Sequence, residues 1–390
     1  MKEQNKKKSN ILYLLVHISF WGFILGLPVL YFFFGSKIDT ENYENRYMAE
    51  KPVFSLSTVR TYPTLYENYY NDNFPFRTKL ITLNSRISYQ LFNEGRGSTI
   101  VGKEGWLFYS SEISLDGLNI AQFKGQAVFT DEELQRAAES LEATEKWCAE
   151  HGCEFILMIT PNKERMYPEF MPDYYMSVRR SDRCNTDQLV DYLRENTDIR
   201  VVWAYEDLKE YKDTHPGEPL YYQLDTHWNY LGGYIGARAL LRELGIEIPP
   251  ADERERSLRF PKIGDLTMLM SLGSSDLFSD TDYVFAGYPV EGMEKVSDDV
   301  NGLLFYKNPG RDHRNVVIYR DSFCNIMRYF IGEQFNNSVM IPRDQWDPEF
   351  LNEYHADVLV IEVTERFVDI LVNEHIQPLT EEEKAAMGLL

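Results

Sequence analysis

The stretch NVVIYRDSFCNIMRYF, residues 315–330, decides the fold, because it passes from an apolar run through a short polar turn into a helical pattern. Residues 315–319 resemble a strand buried on both faces of a parallel sheet. Ser322 lies in the turn, where its hydroxyl would stand at the sheet edge beside the first N–H groups of the helix. This position suits a nucleophile with a stabilised oxyanion, and it also suits a plain helix N-cap.

Four more apolar runs of this kind occur at residues 154–159, 200–203, 338–341 and 357–363. Helical patterns at 130–148, 187–196 and 229–244 separate most of them. This alternation predicts an α/β fold with a doubly wound, mostly parallel sheet. Ligands bind at the carboxyl ends of such strands, so we expect the site in the loops after residues 159, 319 and 363. The acidic, turn-rich stretch 272–299 is expected to be a surface excursion.

The N-terminal part of the chain predicts a membrane anchor. Residues 11–35 carry no formal charge and are long enough to cross a bilayer as a helix; the run is longer than the apolar region of a usual cleaved signal peptide. Four lysines precede them, so residues 1–10 are expected to be a basic cytoplasmic tail and all that follows residue 35 to lie outside. We therefore expect a single-pass protein of the cell membrane, with a mostly helical juxtamembrane segment at 36–110 and the main domain at 111–390.

Charge and cysteine content exclude several classes of function. The formal charge is −21, from 61 acidic and 40 basic residues, which repels phosphate backbones and makes nucleic acid an unexpected partner. The 4 cysteines are too few and too irregularly spaced for a disulfide scaffold or a zinc site. No bridge is expected between Cys148 and Cys153, and Cys324 is interpreted as a small buried apolar residue. No cofactor or metal is predicted.

The motif Asp225-Thr226-His227-Trp228 supplies a possible base for Ser322. In an extended tripeptide, side chains two apart point the same way, so Asp225 can accept from one imidazole nitrogen while the other faces a hydroxyl. This is the orienting and basic half of a catalytic triad. The same spacing also occurs in metal sites and in structural contacts, but no further histidine clusters with it in the sequence.

Weaker candidates follow the other predicted strands. Asn162 and Lys163 come directly after the run at 154–159 and could supply an oxyanion donor or hold an acyl carbonyl; a helix cap and a solvated lysine are the alternatives. Arg366, after the last strand, could line the cleft or form a surface ion pair. Arg320 stands two residues before the serine and is another candidate for binding substrate.

Together these motifs resemble the alginate O-acetyltransferase family and the related DHHW-motif proteins, which are SGNH hydrolase-like and in which Asp-x-His precedes the serine. The resemblance rests on motifs spread over most of the chain: ENR 44–46, NFPFR 73–77, GKEGWLF 102–108, PNK 161–163 with YP 167–168, DTHW 225–228, GDL 264–266 and DS 321–322. The usual Gly-Asp-Ser reads Arg320-Asp321-Ser322 here.

The resemblance implies an outward-facing O-acetyltransferase that modifies a cell-surface or exported polysaccharide. Ser322 would take the acetyl group, His227 would act as base and then acid, and Asp225 would orient His227. A multi-spanning membrane-bound O-acyltransferase would supply the acetyl group. An acetylesterase with the same triad and a non-catalytic scaffold of a polysaccharide export complex remain alternatives.

Overall fold

The computed structural model describes residues 2–34, 47–73, 76–111, 117–273, 276–309, 311–374 and 376–378. The chain forms two compact units, one of Met1–Arg96 with Met268–Leu272 and one of Gly97–Thr267 with Gly273–Leu390. The larger unit thus begins at residue 97, earlier than the expected residue 111. Residues 44–46 of the motif set and the C-terminal tail from 379 onward lie outside the described residues.

The regular structure described in the smaller unit is helical, and residues 47–61 before α2 are coil and turn. It contains α1 (Lys2–Phe34), α2 (Tyr62–Asp72) and α3 (Arg77–Ile87), the last continued by a π-helical turn at Ser88–Phe92. Among the described residues, none of the helices combines the length and the apolarity needed to cross a membrane. The transmembrane helix predicted over residues 11–35 is therefore not confirmed.

From residue 97 onward the chain alternates strands and helices. The strands are β1 (Thr99–Val101), β2 (Leu107–Tyr109), β3 (Glu154–Thr160), β4 (Val201–Trp203), β5 (Arg256–Arg259), β6 (Asp282–Phe285), β7 (Glu294–Asp298), β8 (Leu304–Lys307), β9 (Asp312–Arg320), β10 (Phe335–Pro342) and β11 (Val358–Thr364). The helices are α4 (Asn119–Phe123), α5 (Asp131–Glu150), α6 (Lys163–Met166), α7 (Asp173–Ser177), α8 (Asn185–Asn196), α9 (Tyr205–Thr214), α10 (Tyr230–Glu243), α11 (Asp265–Leu269), α12 (Cys324–Gly332) and α13 (Phe350–Glu353). Short 3₁₀ turns lie at Lys103–Gly105, Pro168–Phe170, Ala251–Glu253, Arg343–Gln345 and Glu365–Val372.

The main sheet has seven strands in the order β4-β3-β11-β9-β10-β8-β7. The first five pair in parallel and correspond to the five apolar runs of the sequence, whereas β8 and β7 pair antiparallel at one edge. The interpretation of residues 272–299 as a surface excursion is therefore wrong in part, because β6 and β7 fall within it. β7 is a mostly exposed edge strand, so its sequence EKVSD lacks the apolar pattern of a buried strand.

Successive residues of each central strand face opposite sides of the sheet, and both sides are covered. On β9, Val316 and Ile318 join the core beneath α10 and α12, whereas Val317 and Tyr319 join the core beneath α5 and α8. The helix α5 starts with a complete capping box formed by Thr130 and Glu133, which explains its sharp beginning. The predicted doubly wound α/β architecture is confirmed as a mixed sheet.

The last strand of the chain lies inside the sheet. β11 pairs with β3 on one side and with β9 on the other, so the carboxyl ends of these three strands share one edge. The strand order reverses here relative to the chain order, and such a switch point is where α/β sheets form their ligand sites. The loops after β3, β9 and β11 therefore meet at one place.

Candidate active site

A continuous line of hydrogen bonds joins three side chains at this edge of the sheet. His227 Nε2 lies 2.7 Å from Ser322 Oγ, and His227 Nδ1 lies 2.6 Å from Asp225 Oδ1. If Nδ1 carries the proton, it donates to Asp225 and leaves Nε2 free to accept from the serine. The structure thus brings together the three residues that the sequence predicts, in the order carboxylate, imidazole, hydroxyl.

The Asp225 side chain reaches His227 through a turn, not through an extended tripeptide. Asp225 Oδ1 accepts from the backbone N–H of His227 at 3.1 Å as well as from the imidazole. Residues 223–227 are bent throughout, so the expected extended geometry is wrong although the contact forms. An aspartate that bonds the backbone N–H two residues onward is a common local turn, and here it presents the same oxygen to the ring.

The side chains of Asp321 and Glu362 form hydrogen bonds that stabilise the turn carrying Ser322. Asp321 accepts from the N–H of Phe323 through Oδ1 at 2.8 Å and from the N–H of Thr364 through Oδ2 at 2.6 Å. The backbone N–H of Asp321 in turn donates to Glu362 Oε2 at 2.9 Å. The N-cap of α12 is Phe323, without a side-chain cap bond, so the plain N-cap interpretation of Ser322 is wrong.

Charges around the imidazole set its titration. Burial alone would lower the pKa of His227, but the charge and hydrogen bond of Asp225 raise it above the ordinary value. Burial alone would raise the pKa of Asp225. The charge and hydrogen bond of His227 outweigh it and hold the pKa of that carboxyl well below its usual range. The pair therefore favours an ionised Asp225 beside an imidazole that binds a proton readily.

Asp265 is a site residue to which the sequence analysis assigned no role. Its Oδ2 lies 3.6 Å from His227 Nδ1, and burial together with the charge of Asp225 raises the pKa of Asp265. The only signal in the sequence was the GDL motif at 264–266, which lies 40 residues from Asp225 and predicts no contact by itself.

Arg366 is the candidate cation that the structure does bring to the site. Its guanidinium carbon lies 5.4 Å from the centroid of the Phe323 ring, and its charge acts on His227. In the described part of the chain this guanidinium has no hydrogen-bond or ion-pair partner. Gly117 leaves room for the side chain, because a Cβ there would lie 2.9 Å from Arg366 Cδ. Arg366 is therefore free to bind an oxyanion.

In the described part of the chain, the side chains of Lys163 and Asn162 donate hydrogen bonds to residues other than Ser322. Lys163 Nζ donates to the backbone oxygens of Leu107, Gln223 and Asp225, at 2.5, 2.9 and 2.9 Å. Burial lowers its pKa to about 8. Asn162 is 2% exposed and donates through Nδ2 to Gln122. Both residues thus have structural partners, and the alternative of a solvated lysine is wrong.

Arg320 is also a structural residue. It is 2% exposed, and its guanidinium donates to the backbone oxygen of Gly302 at 2.7 Å and to Asn325 Oδ1 at 2.9 Å. The side chain therefore leaves the end of β9 toward the loop at 300–302 and not toward the hydroxyl of Ser322. The bulky Arg320 side chain fits before Asp321 because it packs against the loop at 300–302 and bonds its backbone.

The triad region is also where a cation could be considered. Among the described residues, Asp225, His227 and Asp265 form the one group of side chains close enough to share a metal ion. With the proton on Nδ1 and donated to Asp225, only Nε2 of His227 keeps a lone pair, and that lone pair is directed at Ser322 and not at a common point with the carboxylates. We assign no metal to this group. The 4 cysteines are buried and unbridged.

Part of the chain that forms this site is similar in sequence to an SGNH hydrolase-like domain. Residues 99–287 match the family model described as SGNH hydrolase-like domain, acetyltransferase AlgX. The matched stretch includes Asp225, His227 and Asp265 and ends before Ser322, which the geometry alone connects to them. The resemblance predicted from the motifs is confirmed.

Curated relatives carry the name "Probable alginate O-acetylase AlgJ". The protein from Pseudomonas syringae pv. tomato is 25% identical over 241 residues, which is 60% of this chain and 56% of that protein. The protein from Pseudomonas aeruginosa is 24% identical over 192 residues, 47% of this chain and 41% of that one. The chain thus spans about half the length of the curated relatives it matches.

Among solved structures, Bacillus cereus PatB1 with a sulfonyl adduct superposes with a TM-score of 0.50 at 11% identity. The superposition covers 70% of this chain and 97% of that one. At this identity the likeness establishes the fold.

Proposed function

We propose that this protein is a serine-dependent O-acetyltransferase that modifies a cell-surface or exported polysaccharide through an acetyl-serine intermediate. The observation that carries the proposal is the line of hydrogen bonds from Asp225 through His227 to Ser322. The similarity to proteins named alginate O-acetylase supports acetyl as the acyl group and a polysaccharide as the acceptor.

In the first half-reaction, Ser322 Oγ attacks the carbonyl carbon of an acetyl ester while His227 Nε2 removes its proton. The carbonyl oxygen becomes an oxyanion, for which Arg366 is the available cation, and Asp225 stabilises the imidazolium. Collapse of the tetrahedral intermediate breaks the bond to the donor oxygen, which takes the proton from His227. The donor leaves as an alcohol, and Ser322 holds the acetyl group.

The second half-reaction repeats these steps with a sugar hydroxyl. His227 removes the hydroxyl proton, the sugar oxygen attacks the acetyl-serine, and Ser322 leaves with the proton returned by His227. Water in place of the sugar gives hydrolysis with the same residues, so an esterase differs from a transferase only in its acceptor. The formal charge of −21 requires that an anionic polymer be held by local cations.

The membrane anchor and the supplier of acetyl groups are proposed from the sequence and from the family resemblance. The uncharged run at residues 11–35, after four lysines, supports a membrane anchor with the N-terminus in the cytoplasm. The family resemblance supports a multi-spanning O-acyltransferase as the supplier of acetyl groups. Recovery of the full-length protein from membranes, and its release when residues 1–35 are removed, tests the anchor.

The catalytic proposal is tested with the purified full-length protein and p-nitrophenyl acetate. We expect a covalent adduct of one acetyl group on Ser322, seen by intact-protein mass spectrometry and peptide mapping. The adduct should be lost in Ser322→Ala and kept in Ser177→Ala, which changes an exposed serine bonded only to a local backbone oxygen. Product analysis with and without a glycan acceptor then separates transfer from hydrolysis. Absence of both adduct and turnover would leave the scaffold function.

A further inference from the structure

Asp265 both accepts hydrogen bonds from and donates one to the loop that carries Asp225 and His227. Its Oδ1 accepts from the backbone N–H of Thr226 at 2.8 Å, and its Oδ2 accepts from Thr226 Oγ1 at 2.5 Å. The backbone N–H of Asp265 donates to Asp225 Oδ2 at 2.8 Å. The two oxygens of Asp225 therefore bind different partners: Oδ1 accepts from His227, and Oδ2 accepts from the backbone N–H of Asp265.

A glycine allows this close approach. A Cβ on Gly264 would lie 2.2 Å from the backbone oxygen of Leu224 and 2.9 Å from the backbone nitrogen of Asp225, distances that no side chain can adopt. The backbone before Asp265 is thus pressed directly against the backbone before Asp225. This packing fixes the backbone from which the Asp265 side chain extends, and the two bonds to Thr226 hold its carboxylate.

Two carboxylates beside one imidazole cost energy unless a positive charge compensates them. Asp265 Oδ2 lies 3.6 Å from His227 Nδ1, and Asp225 Oδ1 lies 2.6 Å from the same atom. Arg366 faces the imidazole from the segment after β11 and opposes its protonation, and the Lys163 ammonium lies against the backbone oxygen of Asp225. The charge that appears on His227 when it takes the serine proton is the one that both carboxylates stabilise.

We propose that Asp265 is a positioning residue of this site, which fixes the Asp225 carboxylate and places a second negative charge beside His227. The inference rests on the proposed function, in which His227 is the base. It extends the triad to a carboxylate that touches neither the serine nor the acetyl group.

The test compares Asp265→Asn with a matched variant of a second acid that bonds the same loop, residues 223–226. Asp265→Asn keeps an acceptor for the Thr226 N–H but removes the charge. Asp280→Asn removes the charge of another buried carboxylate, which accepts from the N–H groups of Gln223 and Leu224 at 2.9 and 2.8 Å. Both variants disturb loop contacts, but only Asp265 lies beside the imidazole.

Two readouts are measured on the full-length protein: the ring titration of His227 by NMR, and the pH dependence of acetyl-serine formation from p-nitrophenyl acetate. In Asp265→Asn we expect the His227 titration and the ascending limb of the rate to move down by about one pH unit. The plateau rate should fall about tenfold, because one stabilising charge is lost. Asp280→Asn should leave both pH values in place.

An unchanged His227 titration in Asp265→Asn, with only a loss of thermal stability like that of Asp280→Asn, would overturn the proposal and leave Asp265 a structural residue. The NMR titration does not depend on turnover. A shifted titration in a protein that forms no acetyl-serine would therefore support the coupling of Asp265 to His227 and count against the serine mechanism.

Discussion

The indole nitrogen of Trp228 donates a hydrogen bond of 3.0 Å to the backbone oxygen of Phe323. Trp228 follows His227 in the chain, and Phe323 follows Ser322. Both side chains are fully buried. The ring fits because α10 has Gly236 beneath it, where a Cβ would lie 2.6 Å from the indole. This bond ties the two halves of the site, which are 95 residues apart in sequence.

We expect Trp228→Phe to lose that bond at a cost of about 0.5–1.5 kcal/mol of stability, because the Phe323 oxygen still accepts from the Ile326 N–H at 3.2 Å. The rate of acetyl-serine formation should fall at saturating substrate, because His227 and Ser322 lose their alignment, while KM changes little. Trp346→Phe is the matched control, since Trp346 donates an equal bond of 3.0 Å to the oxygen of Ile376. Equal losses of rate in both variants would contradict a link specific to the site.

The pH dependence of acylation follows from the raised pKa of His227. The imidazole must be neutral to act as base, so the rate should rise with pH along a limb centred above about 6.5. Asp225→Asn should move this limb to lower pH and lower the plateau rate by about 10³–10⁴-fold, because the ring loses its orienting carboxylate. The native interaction stabilises protonated His227, so its contribution to folding is present at low pH and is lost as pH rises through that limb. A pH–rate profile with parallel unfolding curves measures both, and a wild-type limb below about 6 would contradict the assignment.

Arg366→Gln should lower the rate of acetyl-serine formation by about 10²–10³-fold if the guanidinium stabilises the oxyanion. Arg366→Lys should recover part of this loss, since it keeps a charge without the fork of donors. Arg194→Gln is the charge-matched control, because Arg194 on α8 forms an exposed ion pair with Glu206 on α9. Single-turnover kinetics measure the effect, and equal rates for Arg366→Gln and the control would remove Arg366 from the reaction.

Glu362 holds the nucleophile turn from the middle of β11. It is 1% exposed, and burial and the neighbouring Asp321 raise its pKa well above the usual value. Glu362→Gln should retain the acceptor for the Asp321 N–H and most of the rate. Glu362→Leu should lose about 1–3 kcal/mol of stability, because that N–H is left buried and unpaired, and should slow acylation as well.

The control for Glu362 is Glu164→Leu, which removes another buried carboxylate, one that accepts from Asn119 at 2.9 Å. Denaturant unfolding and the acylation rate are compared for the two leucine variants. Similar stability losses with a rate loss only in Glu362→Leu support a role in the turn, whereas equal rates would show that the turn is set without Glu362.

Sequence reasoning reached the parts of the molecule that local pattern determines. The five parallel strands are continuous apolar runs, and Ser322 lies in the turn predicted after the run at 315–319; Asp225 contacts His227 as expected, but through a turn instead of an extended tripeptide. The roles of Asp265 and Glu362 were not predicted, because their partners are far away in the chain. A single acid at the start of a helix or within a strand does not indicate which residues it contacts. Arg320 and Lys163 were assigned to the site from their neighbours in sequence, whereas the direction of a long side chain depends on which backbone oxygens are within its reach.

β11 is the last strand among the described residues and joins β3 to β9 in the sheet. It carries Glu362 and Thr364, which fix the turn of the nucleophile. A polypeptide that is still being synthesised already contains its serine and its histidine, but it lacks the strand that connects the two halves of the sheet. Pairing of distant parallel strands comes late in folding. The turn that carries Ser322 therefore gains its hydrogen bonds to Glu362 and Thr364 only after β11 has been synthesised and has entered the sheet.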